Sequence, residues 1–299
     1  MAEYHVPVLL KESVDALVID KDGIYVDVTF GGGGHSREIL NRLSAKGRLI
    51  VFDQDGEAEE NRLEDERLIF IKSNFRHLYR YWRWLDVPKV SGILADLGVS
   101  SHQFDVDYRG FSYRFEADLD MRMNENSELT AALILNKYEE GDLVSVFSEY
   151  GEVRNSKKLA RVICELRKQQ GGIQTTQDLN QILASVMIGE RSKYFSQVYQ
   201  ALRIEVNDEM GSLKEMFEGA LRILDSKSRL VVISYHSLED RIAKRFIRSG
   251  SVDGVIPKDD YGRSLAEMKN IGKMILPNEE EQRINSRSRS AKLRVGEKL

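Results

Sequence analysis

The stretch IYVDVTFGGGGHS, residues 24–36, constrains the fold more than any other part of this chain. It reads as an apolar strand, a glycine-rich turn and the start of a helix, a junction that belongs to β-α units and through them to parallel sheets. The surrounding sequence repeats the unit. Strands are expected at 24–30, 48–53, 68–71 and 92–96, with helical stretches between them. In one of these, 35–44, Ile39, Leu40 and Leu43 share a face and Gly47 follows as a stop signal. From about 103 to 202 the strand signal gives way to amphipathic helices at 129–138, 141–147, 157–168 and 177–187, and a strand returns at 229–234 after a helical stretch that runs through Leu224. An all-helical segment inside an α/β pattern reads as an inserted domain. The expected division is 1–103 and 206–299 for the α/β part and 104–205 for the insertion.

A chain of 299 residues with 41% hydrophobic content can bury a real core. Charges at Glu3, Lys11 and Glu12 interrupt the N-terminal stretch, which argues against a secretory signal or membrane span and for the cytoplasm. Cys164 is the single cysteine, and the five histidines show no ligand-like spacing, so neither a disulfide nor a metal site is expected. The net charge of −4 argues against a nucleic-acid partner, but base concentrates in 154–168 and 283–294. Those runs suit either phosphate contact or a solvated face.

The glycine turn lets backbone approach a ligand, and the N–H groups of the following helix point at it. Asp53 ends the second strand twenty positions after Gly33, where a carboxylate can hydrogen-bond a ribose. The two features indicate an adenosine-type cofactor. A dinucleotide fits poorly: Ser36 stands where a third glycine would be, and Asp27 would repel a pyrophosphate. S-adenosylmethionine instead carries an ammonium and a sulfonium, which a nearby carboxylate attracts, so Asp27 is expected among the donor contacts. Asp96 ends the strand of ILADLGVSS, where ligands of open α/β sheets lie, although a strand-end acid also serves as a cap or turn former. In VVISYHSLEDRIAKRF, Ser237 is the expected helix N-cap, and His236 either orients a base or is a buried structural histidine. In SRSRSAKLR, an extended strand would put Arg287 and Arg289 on one face, with Arg294 nearby, for RNA phosphates or for solvent. Tyr79, Tyr81, Trp82, Trp84, Tyr150 and Cys164 are assigned mainly to packing. Phe111, Tyr113 and Phe115, interleaved with Arg109 and Arg114, suit base stacking and packing equally.

These motifs together resemble one family, the bacterial 16S ribosomal-RNA cytosine-N4 methyltransferases (MraW or RsmH). The likeness runs from HVPVLLKE through GIYVDVTFGGGGHS, ILADLGVSS, RGFSYRFEADLDMRM, QALRIEVNDE and SYHSLEDRIAKRF to SRSRSAKLR. It implies a class I methyltransferase fold, Rossmann-like with a mostly parallel sheet and an inserted helical domain. It also implies S-adenosylmethionine as methyl donor, Gly33, Gly34, His35, Asp53, Phe75, Asp96 and Gln103 around that donor, and a cytidine of the decoding region as acceptor. His102 and Ser286 depart from it, standing where the family commonly has proline, so the φ restraint of proline is lost at both places. Asp96, or a backbone carbonyl near it, is expected to hold the amine of the acceptor base. Arg154, Lys157, Lys158 and Arg161 join the C-terminal arginines as expected RNA contacts. Three rival readings stay open: a nicotinamide-dependent oxidoreductase, a non-catalytic RNA-binding protein on the same fold, and a DNA or protein methyltransferase. The sequence also leaves the oligomeric state open, a homodimer included.

Overall fold

The computed structural model describes residues 7–98, 108–169 and 171–299. It forms two compact units, one built from 1–98 with 210–299 and the other from 99–209. The divisions thus fall a few residues outside the expected 103/104 and 205/206. Composition marks where strands stop; it does not mark which unit the connecting residues pack with. No helix among the described residues is long and apolar enough to cross a membrane.

The first unit opens with α1 (Leu10–Leu17), β1 (Ile24–Asp27), α2 (Gly34–Arg42), β2 (Arg48–Asp53), α3 (Gly56–Glu60), β3 (Leu68–Lys72), α4 (Leu78–Leu85) and β4 (Val90–Asp96). The second unit contributes α5 (Ala131–Lys137), α6 (Glu140–Ser145), α7 (Ser156–Gln169), α8 (Thr176–Val186) and α9 (Arg191–Asn207). The chain then returns through α10 (Glu209–Ile223), β5 (Leu224–Ser234), α11 (Ser237–Ser249), β6 (Met268–Asn270), α12 (Glu279–Ile284) and β7 (Lys292–Lys298).

The strands form a seven-stranded sheet in the order β3-β2-β1-β4-β5-β7-β6. β1 to β5 are parallel, β7 runs antiparallel to β5, and β6 antiparallel to β7. This is the expected Rossmann-like, mostly parallel sheet. Its strands read as near-continuous apolar runs because both faces are covered. Val26, Ile50, Ile93 and Val232 point into one core with Leu78, Phe217 and Phe246 from α4, α10 and α11. Their strand neighbours Tyr25, Leu49, Leu94 and Val231 point into the opposite core with Leu17 and Ile39 from α1 and α2. β1 stops at Asp27, short of the expected Phe30, although Val28 still donates to the Leu94 carbonyl and Phe30 to that of Phe52.

The second unit packs its helices around Phe147, Leu159, Leu183, Phe195 and Leu202. Here the aromatic and arginine cluster divides. Arg109 is 3% exposed, donates to the carbonyls of Arg122 and Met123, and lies over the Phe111 ring at 5.4 Å. Tyr113 meets Phe195 and Tyr199 edge-on. These three are packing residues, while Arg114 and Phe115 remain exposed.

In the first unit, Phe217 and Phe246 stack at 4.6 Å with both rings fully buried. Phe246→Ala should lower the free energy of unfolding by about 3–5 kcal/mol through lost transfer energy and the cavity left behind. The check is a urea midpoint that falls while the slope stays near the parent value.

Candidate functional site

β1 pairs with β2 on one side and β4 on the other, so the connections leaving their carboxyl ends diverge around the strand order's reversal. Ligands of open α/β sheets bind in the crevice this opens. The glycine turn follows β1, Asp53 ends β2, Phe75 lies just beyond β3, Asp96 ends β4 and Tyr235 follows β5. Five consecutive parallel strands thereby deliver chemistry to one edge. Gln103 lies outside the described residues.

At the turn, Gly33 is the N-cap of α2 at φ +73°, and a Cβ there would lie 2.9 Å from the Phe30 ring. A Cβ on Gly34 would come within 2.2 Å of Pro7. Both positions therefore need glycine, one for its dihedral and both for space. No side chain caps α2, so the N–H groups of its first turn stay available to an anion.

Two carboxylates brace this turn. Asp53 accepts from the Gly31 N–H at 2.8 Å and from the Asp55 N–H at 2.9 Å, and keeps lone pairs for a ligand hydroxyl. Burial raises its carboxyl to about 6, outweighing those two donors. Asp27 requires a correction. It was expected among the ligand contacts, but it is 0% exposed, and its oxygens accept from Ser36 Oγ at 2.7 Å and the Thr29 N–H at 3.1 Å. Its carboxylate sits beneath the turn and ties β1 to α2. Burial raises this carboxyl as well.

The Asp96 side chain is 22% exposed. Its backbone N–H donates to Thr29 Oγ1 at 2.8 Å, which links the end of β4 to the turn after β1. Its Oδ1 accepts from the Tyr235 hydroxyl at 2.8 Å, and its Oδ2 lies 3.7 Å from His35 Nδ1. Burial pushes this carboxyl up to about 7; the Tyr235 hydrogen bond works downward and the charge of Glu239 upward. His35 is 6% exposed, and burial lowers its imidazole, which favours the neutral ring. Its Nε2 lies 3.1 Å from the Val8 carbonyl, which can only accept, so the proton belongs on Nε2 and the Nδ1 lone pair faces Asp96. Among the described residues no lysine or arginine pairs with Asp27, Asp53 or Asp96. Sequence reasoning gave no role to Thr29 or Tyr235; their neighbours at strand ends were the available signal.

The C-terminal residues are corrected in three places. Ser237 is the first helical residue of α11, and His236 is its N-cap, with Nδ1 accepting from the Glu239 N–H and Nε2 lying 3.0 Å from Glu239 Oε1. The ring of His236 is thus occupied with starting a helix. Arg294 forks onto Asp240, Nε to Oδ1 at 2.7 Å, because β7 pairs alongside β5 and brings it against the first turn of α11. Burial would raise the Asp240 carboxyl, and the guanidinium more than reverses that, holding it below the ordinary carboxylate range. Arg294 is therefore an ion-paired strand residue, not a free phosphate contact. Arg287 and Arg289 lie in a 3₁₀ turn, Ser286–Ser290, not in a strand. Ser288 closes that turn, donating through both N–H and Oγ to the Asn285 carbonyl. Arg289 is exposed there.

The raised carboxyl of Asp96 predicts how stability varies with pH. Folded Asp96 keeps its proton to about pH 7, and the unfolded chain loses it near 3.8, so this residue's contribution falls as pH rises through that interval. Asp96→Asn should raise the melting temperature more at pH 8 than at pH 5, by a stabilisation of about 2 kcal/mol after discounting for partial exposure. Melts showing an equal gain at both pH values would refute the assignment.

The model of the MraW methylase family matches residues 2–299. The chain is 54% identical over 291 residues to the ribosomal RNA small subunit methyltransferase H of Flavobacterium psychrophilum, covering 97% of this chain and 100% of that protein. It is 52% identical over 297 residues to the protein of the same name from Bacteroides fragilis, covering 99% and 97%. The same name belongs to a Cytophaga hutchinsonii protein, 50% identical over 298 residues and covered to 99% on both sides. The resemblance seen in the motifs is borne out along the full length, and the chain belongs to the MraW methylase family.

Proposed function

We propose that this protein transfers a methyl group from S-adenosylmethionine to the exocyclic N4 amine of a cytidine in the decoding region of 16S ribosomal RNA. One observation carries the reading: in a chain half identical to small-subunit rRNA methyltransferases, a partly exposed carboxylate closes β4 beside an uncapped helix N-terminus and a second strand-end carboxylate. The donor set suits this cofactor. Asp96 offers negative charge to a sulfonium or ammonium, Asp53 offers lone pairs to ribose hydroxyls, the first turn of α2 offers N–H groups to a carboxylate, and half-buried Phe75 offers an apolar face. A pyrophosphate would meet unneutralised carboxylates instead, which disfavours the nicotinamide reading.

When bound, S-adenosylmethionine supplies an electrophilic methyl carbon on a positively charged sulfur. The work left to the chain is positioning, which can account for a large share of such an acceleration. The lone pair of a cytosine amine is delocalised into its ring, so an acceptor that holds the N–H aims that lone pair and stabilises the positive charge arising on nitrogen. Asp96 is that acceptor, and with its carboxyl near 7 it is substantially ionised at neutral pH and able to take the proton. The base must leave its stack to reach the sheet edge. For RNA contact the chain offers Arg154, Lys157, Lys158 and Arg161, all exposed around the start of α7 while Leu159 and Ile163 face the core, together with Arg287 and Arg289 of the 3₁₀ turn.

The test is methyl transfer from labelled S-adenosylmethionine to small ribosomal subunits from a strain lacking the enzyme, with the nucleoside identified by mass spectrometry. N4-methylcytidine is the expected product, and Asp96→Asn should lower the single-turnover rate by about 10²-fold or more. Label in another nucleoside, or in DNA or protein, would move the acceptor. Replacing Arg287 and Arg289 together with alanine should weaken RNA binding and flatten its salt dependence without changing donor affinity. Equal loss of RNA and donor binding would instead signal misfolding.

A further inference from the structure

Tyr235 is the first residue after β5, two positions beyond Ile233, the residue paired with Asp96 across the β4–β5 ladder. Its backbone is fixed: the N–H donates to Glu239 Oε2 at 2.8 Å, within the box that caps α11. Its ring packs beside Gly98, where even a Cβ would come within 3.5 Å, and against the core on the α1 and α2 face. From there the phenol crosses to the neighbouring strand and gives its one hydrogen to Asp96 Oδ1.

We infer that Tyr235 is a positioning residue for methyl transfer: its hydroxyl pins Oδ1 of Asp96, so that Oδ2, opposite the His35 Nδ1 lone pair, is the oxygen that receives the amine proton. The inference rests on the assignment of Asp96 as acceptor of that N–H. A carboxylate free to rotate would present either oxygen to the substrate, and one hydrogen bond from a rigid neighbour removes that freedom. His35 cannot compete for the amine hydrogen's place on Oδ2 as a donor, because its Nε2–H is turned to Val8. It can only accept, and so leaves Oδ2 without a competing donor from that side. In the balanced step, the amine lone pair forms the new carbon–nitrogen bond, the methyl–sulfur bond breaks with its electrons on sulfur, and the N4 proton goes to Oδ2.

The turn that holds Val8 is itself anchored from far along the chain. Leu9 adopts φ +51° although it is not glycine, and its N–H is accepted by Glu281 Oε1 of α12 at 2.7 Å. The titratable groups that face this network are therefore His35 on α2, Asp27 on β1, Glu239 on α11 and Glu281 on α12, besides Asp96 and Tyr235 themselves. Removing the Tyr235 hydroxyl leaves all the others in place. It takes away a donor that favours the charged carboxylate, so the Asp96 carboxyl must move to higher pH.

The experiment is single-turnover transfer to small ribosomal subunits at saturating S-adenosylmethionine between pH 5.5 and 9. It compares the parent, Tyr235→Phe, Asp96→Asn and protein carrying 3-fluorotyrosine at position 235. Tyr235→Phe should move the acidic limb of the rate profile up by about one pH unit. Its rate should be about tenfold below the parent on that limb and within about threefold at pH 9, with donor affinity at pH 9 and melting temperature near the parent values. The fluorinated phenol is a stronger donor and should move the limb the other way. A Tyr235→Phe profile lowered equally at every pH, or not altered at all, overturns the inference while an inactive Asp96→Asn leaves the parent reading standing. Parent-like rates in Asp96→Asn overturn the Asp96 assignment itself. If Tyr235→Phe folds poorly, the sign of the shift in the fluorotyrosine protein decides alone.

Discussion

The parallel pairing of β1 with both β2 and β4 is the constraint on which the rest of this molecule depends. It forces the chain leaving β1 and the chain leaving β4 in different directions, and so opens a crevice at one edge of the sheet. Every feature of the candidate site is placed by that divergence. The glycine turn can close as it does because Gly33 and Gly34 carry no Cβ to strike Phe30 or Pro7. The Thr29 hydroxyl then reaches the backbone of Asp96, and the Gly31 N–H reaches Asp53.

The same edge collects negative charge that the fold does not neutralise. Asp27, Asp53 and Asp96 are all driven toward their protonated forms by burial, with hydroxyls and backbone N–H groups as partners and, among the described residues, no lysine or arginine paired with them. Such an arrangement is unfavourable for stability and suited to a cationic ligand, which would relieve it. The left-handed Leu9 adds local strain, held by a carboxylate from the far end of the chain. Strain and uncompensated charge thus gather where chemistry is expected, while the two cores on the sheet faces are apolar and closely packed.

Much of this could be read before any coordinates. The strand, glycine turn and helix of 24–36 are local features: apolar runs, a flexible turn and a helix start lie next to one another in sequence, and short-range sterics decide them. Asp53 and Asp96 were legible for the same reason, as acids at the ends of apolar runs. The helical insertion was legible as a change of period, although the unit boundaries fell a few residues away. Asp27 illustrates the limit. Its charge was evident, but whether it faced a ligand or the interior depended on Ser36 and Thr29 folding over it.

What the sequence by itself determined is the α/β architecture, the glycine turn and the acidic strand ends, together with a full-length likeness to the MraW methylase family. Only the tertiary structure decided how distant residues meet. The antiparallel insertion of β7 between β5 and β6 turned Arg294 from an apparent RNA contact into a partner of Asp240. The closing of Ser288 onto Asn285 made a turn where alternation suggested a strand. The meeting of Tyr235 with Asp96 across 139 positions required β4 and β5 to lie side by side. The physical reason is range: steric preference and periodicity act over a few residues, whereas a hydrogen bond between strands exists only after loop closure has brought its two ends together.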